Sequence, residues 1–485
     1  MQCLKRLFHI AQIKSKLYNS INLIHRKRQY IELNFVYRLK HVSNMEFEGY
    51  EESEEEKEIY KQISDIYLGT MDNHSVFILQ PYIKWGVEKK KNTTRELQLA
   101  EAIALINTLP NWSIAGKKLV PLLSLQKKQL VGSGALETLK QEIKNCPKVT
   151  AIFVSTNLLK FIQVAELQKA FGLPIYDRYS IVIHIFREHA KTREAKLQVA
   201  LAEIPYIRKK MVDLHTCHVG RIYMDEKKKK TLEAREKKLK HALKKLKDHR
   251  QMIKRQREAY GFPSIAVVGY TNAGKTSLIK ALTGDASLEP KNKLFATLDT
   301  TVHQGYLPNM LKVLYIDTIG FIQDVPETLI EPFKVTLEDA IHADIVVHVY
   351  DISHPDITAQ IEHIEKTIKP MIGDDKIVIN VANKCDVVDK ESLKKHLSED
   401  TFPVSAVKLT GIDLLRAKIE ENIVKAANLI TKRVRVQLGT QVEALLHKEA
   451  TITNVESDSK DPQYVIMDII LTESSYYKLK RITNI

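Results

Sequence analysis

Residues 269–277 read Gly269-Tyr270-Thr271-Asn272-Ala273-Gly274-Lys275-Thr276-Ser277, which fits the spacing G-x-x-x-x-G-K-[ST]. The apolar run SIAVV precedes this stretch and the helix-like SLIKALTG follows, the strand, loop and helix order that such a loop requires. In that setting backbone N–H groups wrap phosphates, Lys275 reaches the terminal ones and the Thr276 hydroxyl ligates Mg²⁺. Asp317-Thr-Ile-Gly320 follows the strand-like MLKVLYI. A carboxylate at that strand end holds Mg²⁺ through water, and the Gly320 N–H senses a γ-phosphate. Farther on, KIVINVA ends in Asn383-Lys384-Cys385-Asp386. The Asp386 carboxylate can accept both hydrogen bonds offered by guanine N1 and its exocyclic amine. Adenine offers no such pair, so this residue selects GTP over ATP. Ser405 and Ala406, closing the strand-like TFPVSA, are placed to cover the base. Each motif alone is weak evidence; their order along one chain points to a GTP-hydrolysing domain.

Such a domain needs a threonine between its first helix and the Asp317 strand, to complete Mg²⁺ coordination when a γ-phosphate is present. The stretch KLFATLDTT, residues 293–301, offers Thr297, Thr300 and Thr301. The residue after Asp317-Thr-Ile-Gly320 is Phe321, where a water-orienting glutamine would serve hydrolysis. A phenyl ring cannot hold that water, so turnover of the isolated protein is expected to be slow and stimulated by a partner. The competing reading makes Phe321 a core residue of the switch and assigns the water to Gln323 or to backbone.

Taken with GYTNAGKTS, the stretches FATLD and DTIGFI resemble the HflX family of translational GTPases. The resemblance extends to LVGSGALETLK at 130–140, YDRYSIVIHIFREHAKTREAKLQVALAEI at 176–204 and FIQDVPETLIEPFKVTLEDAIHADIVVHVYDIS at 321–353, and covers roughly residues 75–430. It implies that Thr297 is the switch threonine, beside Lys275 and Gly320 in the catalytic set, with GTP or GDP and Mg²⁺ as ligands. It also implies binding to the large ribosomal subunit and its rRNA, with ribosome splitting or recycling as the activity. A GTP-dependent assembly chaperone for the large subunit is the alternative. In GTPases that resemble this chain across the loop, an asparagine at the position of Asn272 accompanies activation by K⁺, whose charge would do the work of an arginine finger. Asn272 has a plainer reading as a residue that caps its own loop.

The elements that must position these residues are legible as a string of units. A chain of 485 residues with 44% hydrophobic composition holds about three domains with real cores. Cys3, Cys146, Cys217 and Cys385 are far apart, which argues against a disulfide framework or a zinc site and for a reducing compartment. No apolar run approaches the ~18–20 residues of a membrane span. The formal charge of +15 asks for an anionic partner. Residues 1–45 open with Lys5, Arg6, Lys14, Lys16, Arg26, Lys27 and Arg28 and no acid before Glu32. Leu4, Leu7, Phe8, Ile10, Ile13 and Leu17 recur at helical spacing, so the segment reads as a presequence for the mitochondrial matrix, with a retained RNA-touching arm as the alternative. Residues 46–74 read as an acidic, solvated linker.

The expected fold class is α/β. A small α/β domain over 75–186 leads into a basic antiparallel helical hairpin over 187–258. A P-loop GTPase domain with a doubly wound, mostly parallel sheet follows over 259–432, and a small α+β module closes the chain over 433–485. Residues 225–258 carry fifteen Lys/Arg against six Asp/Glu, a net of +9. Leu232, Leu239, Leu246 and Ile253 recur every seven residues there, facing a stripe of Leu197, Leu201, Ile204 and Ile207. Such a hairpin suits phosphate-rich rRNA. The connection LHTCHVGRIYMD is short, with one glycine, where the family's bacterial members carry a longer glycine-rich loop. Pro205 is expected to kink or end the first helix unless its surroundings compensate. A monomer is expected, with no DNA partner.

Overall fold

The computed structural model describes residues 52–483 except 71, 86–92, 147, 217–225, 260–261, 323–328, 330, 334–341, 374–375, 390, 392, 394–399, 459–460 and 462. The basic segment over 1–45, Gln323 and most of LHTCHVGRIYMD lie outside the described residues.

In place of the solvated linker expected over 46–74, Glu54–Leu68 forms a helix, α1. Ser53 and Glu56 make a reciprocal cap and Glu54, Glu55 and Glu56 fill the first turn, so the acidity that looked like solvation is the start of a helix. Tyr60, Ile63 and Leu68 are buried on its inner side. Gly69 ends it at φ 82°, where a Cβ would sit 2.6 Å from the Tyr176 ring.

The first domain is built of β1 (His74–Ile83), α2 (Arg95–Thr108), β2 (Trp112–Leu122), α3 (Ser133–Asn145), β3 (Ala151–Val154), α4 (Phe161–Phe171), β4 (Ile175–Asp177) and α5 (Arg178–His189). Its four strands pair in parallel in the order β2-β1-β3-β4. The unbroken burial of residues 76–81 in β1 is what a parallel sheet covered on both faces demands. β2 is harder to foresee, because Lys117 and Lys118 stand exposed on this edge strand.

Two long helices follow, α6 (Arg193–Thr216) and α7 (Glu226–Ala259). Leu197, Ile204, Leu239 and Leu243 form their shared core, with Leu201 and Leu246 half-buried beside it. Ile207 and Leu232 join the main core instead, and the Ile253 side chain lies outside the described residues. α6 continues through Pro205. Ala202, Ile204, Tyr206 and Ile207 around the proline are all buried, and the Tyr179 hydroxyl donates to the Ala202 carbonyl at 3.0 Å. That bond and that burial hold the turn in place around a residue that costs ~3 kcal/mol inside a helix.

The next unit comprises β5 (Ser264–Gly269), α8 (Lys275–Thr283), β6 (Thr301–Tyr306), β7 (Lys312–Asp317), β8 (Ile345–Asp351), α9 (Ile357–Ile372), β9 (Ile377–Asn383), β10 (Thr401–Pro403) and α10 (Ile412–Ala426). Its six strands lie in the order β10-β9-β8-β5-β7-β6, parallel throughout except for the antiparallel β6–β7 pair. The chain ends in β11 (Leu429–Gln437), α11 (Gln441–Glu449), β12 (Thr451–Ser457), β13 (Tyr464–Thr472) and α12 (Glu473–Thr483). These strands form an antiparallel sheet ordered β11-β13-β12 over a core of Val436, Leu446, Val465, Met467, Ile469, Leu471 and Leu479. β11 begins upstream of residue 433, where the last module was expected to start. Among the described residues no helix is long and apolar enough to cross a membrane.

Candidate nucleotide site

The carboxyl ends of β5, β7 and β9 bring the separate motifs to one place. β5 delivers Gly269, where a Cβ would lie 2.1 Å from the Val349 carbonyl oxygen of the neighbouring strand, so only glycine lets the chain leave the sheet there. Asn272 and Gly274 take left-handed backbone conformations, φ 61° and 89°. Together they curl the loop before α8 begins at Lys275. A Cβ on Gly274 would meet the Asn383 side-chain nitrogen at 2.3 Å, so the loop and the end of β9 are in contact.

Lys275 is buried, and its Nζ donates to the carbonyls of Tyr270 at 3.0 Å and Gly269 at 3.3 Å. Burial pulls its pKa down to about 8, against the opposing pull of Asp317. Asp317, 1% exposed, accepts on Oδ2 from the Thr276 hydroxyl at 2.6 Å and from the Thr297 hydroxyl at 3.2 Å. Its Oδ1 is buried without a hydrogen-bond partner. Burial raises the pKa of this carboxyl, with Lys275 and the two threonines working the other way. A buried carboxylate with one orphaned oxygen and two hydroxyls on the other is a donor set that fits a hard divalent cation. Of the three threonines in 293–301, the structure brings Thr297 to this carboxylate.

Gly320 touches the loop from the other side, where a Cβ would sit 2.8 Å from Thr271 Cγ2 and 3.1 Å from Lys275 Nζ. Phe321 is buried and pairs with the loop through its backbone, donating to the Gly269 carbonyl at 3.1 Å and accepting from Thr271 N at 2.7 Å. Its ring therefore belongs to the core of the switch.

Asn383 bridges two motifs. Its side-chain nitrogen donates to the Ala273 carbonyl at 2.9 Å, and its oxygen accepts from Ala406 N at 3.1 Å. Lys384 pairs with Asp351 at 2.7 Å. Asp386 is exposed, and a hydrogen bond from Ser405, itself buried, is the main reason its pKa is lowered. The carboxylate is thus held charged. A cleft of about 830 Å³ runs past Thr271, Asn272, Gly274 to Ser277, Thr297, Gly320, Lys384 and Ala406, a size suited to a nucleotide. Asn272 is exposed on its wall and makes no loop-capping bond among the described residues. Lys291, Asn292, Lys293, Val407 and Leu409 also line the cleft and carry no motif that would single them out. Lysines one and three residues after Pro290, facing a phosphate loop, are the signal available in retrospect.

Comparison with known proteins agrees with this geometry. A family profile described as 50S ribosome-binding GTPase matches residues 264–384, and one described as GTP-binding GTPase N-terminal matches 96–187. GTP-binding protein 6 of Xenopus laevis is 37% identical over 425 residues, covering 84% of this chain and 80% of its own. GTPase HflX of Caldanaerobacter subterraneus subsp. tengcongensis is 33% identical over 334 residues, covering 65% of this chain and 76% of its own. A GTP-binding protein from the archaeon Sulfolobus solfataricus, solved in complex with GDP, aligns over 72% of this chain and 99% of that chain at 25% identity and a TM-score of 0.36. With the phosphate loop, Asp317, Thr297 and Gly320 gathered at one cleft, and with sequence relatives at 33–37% identity over most of their length, the chain belongs to the HflX family of GTPases.

Proposed function

We propose that this protein hydrolyses GTP on the large subunit of the mitochondrial ribosome and uses the cycle to split or recycle ribosomes. The observation that carries the ribosomal reading is the exposed face of α7. Lys229, Lys237, Lys244 and Lys245 stand there with no acidic partner among the described residues. So dense a one-signed stripe needs an external polyanion, and rRNA phosphates supply one. The printed description of the profile over 264–384, a 50S ribosome-binding GTPase, supports the same partner. Residues 1–45, with their cationic amphipathic pattern, support the mitochondrial compartment.

Within the cleft, Gly269 to Ser277 wrap the phosphates, Lys275 and the Gly320 N–H meet the γ-phosphate, and Asp386 with Ser405, Ala406, Asn383 and Lys384 holds guanine. Thr276, Thr297 and Asp317 would hold Mg²⁺, whose charge would neutralise that of the phosphates. Asn272, exposed and without a capping bond among the described residues, would add K⁺ beside the phosphates. The buried Phe321 ring cannot orient water, so basal turnover is expected to be slow until the ribosome engages. Sedimentation of mitochondrial monosomes with this protein and GTP, a non-hydrolysable analogue or GDP tests the reading. Subunits released with GTP or the analogue, the protein travelling with the large one, support splitting. Intact monosomes with the protein on free or immature large subunits would replace it with the assembly role.

A further inference from the structure

Helix α5 is tied to the nucleotide site at both ends, through Glu101 at its start and directly at its end. At its start, Arg178 pairs with Glu101 of α2 at 2.9 Å, and Glu101 accepts from the hydroxyl of Tyr270, the second residue of the phosphate loop, at 2.7 Å. At its end, His189 Nδ1 donates to the Phe295 carbonyl at 2.7 Å, and the Phe186 ring meets the Phe295 ring edge-on at 4.9 Å. Just beyond, the Thr192 hydroxyl donates to Asp299 Oδ1 at 2.5 Å, with Thr192 N reaching Asp299 Oδ2 at 3.4 Å. Phe295 and Asp299 flank Thr297 by two residues on either side. Both of its neighbours are therefore pinned to the same turn.

Residues 178–186 of α5 are all buried, which makes this helix of ~18 Å a stiff bar rather than a hinge. The turn after it starts the hairpin. Thr192 Oγ1 accepts from Ala195 N at 3.1 Å and the Thr192 carbonyl accepts from Lys196 N at 3.1 Å, so Thr192 caps α6. One hydroxyl thus donates to the switch and accepts from the first turn of the basic hairpin.

We propose that Thr192 is a positioning residue that makes the seating of Thr297 beside Asp317 and the setting of the α6–α7 hairpin a single equilibrium. The inference rests on the reading of Thr297 as the threonine that senses the γ-phosphate. A partner that grips the hairpin then raises affinity for GTP over GDP, and GTP raises affinity for that partner by the same factor.

The test uses the full chain, with affinities for a non-hydrolysable GTP analogue and for GDP measured by fluorescence in Mg²⁺. Thr192→Val removes the donor and Asp299→Ala removes the acceptor without touching the α6 cap. Each is expected to lower the analogue-to-GDP affinity ratio by about fivefold or more, the lower end of ordinary coupling, while GDP affinity stays near wild type; the melting temperature stays near wild type for Asp299→Ala and drops for Thr192→Val, which also loses the α6 cap. Thr192→Ser should restore the ratio. Thr297→Ala should lose it as well, and adding Thr192→Val to Thr297→Ala should lower the ratio no further. If both Thr192→Val and Asp299→Ala keep the wild-type ratio while Thr297→Ala loses it, the coupling is overturned and the site reading stands. If Thr297→Ala itself keeps the ratio, the site reading fails and takes the coupling with it.

Discussion

Asp386 is exposed, and the hydrogen bond from Ser405, more than the charges of Lys408 and Lys384, lowers the pKa of its carboxyl. On the proposed reading, specificity for guanine rests on one oxygen pair that water also reaches. Asp386→Asn should weaken GTP and GDP binding together by about 10²-fold, since hydrogen bonds to a charged group are worth ~1.5–3 kcal/mol each, and competition against labelled GDP measures this. ATP affinity should not fall. Gly269→Ala makes a different prediction at the same scale. Its Cβ has a backbone oxygen 2.1 Å away, which no rotamer change relieves, so nucleotide binding should be lost and the melting temperature should drop by several degrees in a calorimetric scan. Residues such as these were legible in sequence because each motif is contiguous and its chemistry sits within a few positions. Thr192 and Asp299 are 107 positions apart, and Tyr270 and Glu101 are 169 apart, so nothing local announces either pair.

At the scale of elements, periodicity revealed the strands and helices that bury one clean face. It failed for α1, where a run of glutamates disguised a capped helix whose apolar side is only Tyr60, Ile63 and Leu68. It could not say whether α6 would continue through Pro205, because the bond from Tyr179 to Ala202 depends on a neighbouring helix. α5 carries a further consequence in His184, fully buried, with Nε2 3.1 Å from the Leu68 carbonyl and the Trp112 and Tyr176 rings beside it. Burial holds its pKa down to about 3, and that of His348 in β8 down to about 4. Both stay neutral in the fold and bind a proton once unfolded. Their contribution is whole above the unfolded value of ~6.5 and drains as pH falls toward 4 and 3, by about 1.4 kcal/mol per pH unit for each. Chemical denaturation at pH 7, 6 and 5 should show the loss, and His184→Gln should flatten it. A stability that rises on acidification would refute the assignment.

Across the whole molecule, charge is arranged by face. The side of α7 toward α1 is neutralised by pairs of Arg235 with Glu52, Lys238 with Glu56 and Lys227 with Glu55. Lys229, Lys237, Lys244 and Lys245 are exposed and have no such acidic partner among the described residues. Replacing Lys237, Lys244 and Lys245 together by alanine should weaken large-subunit binding and reduce the slope of log affinity against log salt by roughly 2–3, with basal GTP hydrolysis unchanged. Binding that kept its full salt slope would place the rRNA contact elsewhere.

The seating of α1 also sets a limit on how far the chain can be trimmed from its front. Tyr60 donates to Glu203 of α6 and lies under the Arg235 guanidinium at 3.6 Å, while Arg187 bonds both Glu203 and Ser64. A protease that stops before Glu52 leaves this lattice whole. One that cuts past Leu68 strips Arg235 of its carboxylate, leaves Glu203 and Arg187 short of partners and opens an apolar furrow along the helices. Truncation from the amino terminus is expected to leave the protein folded only when it stops upstream of that helix.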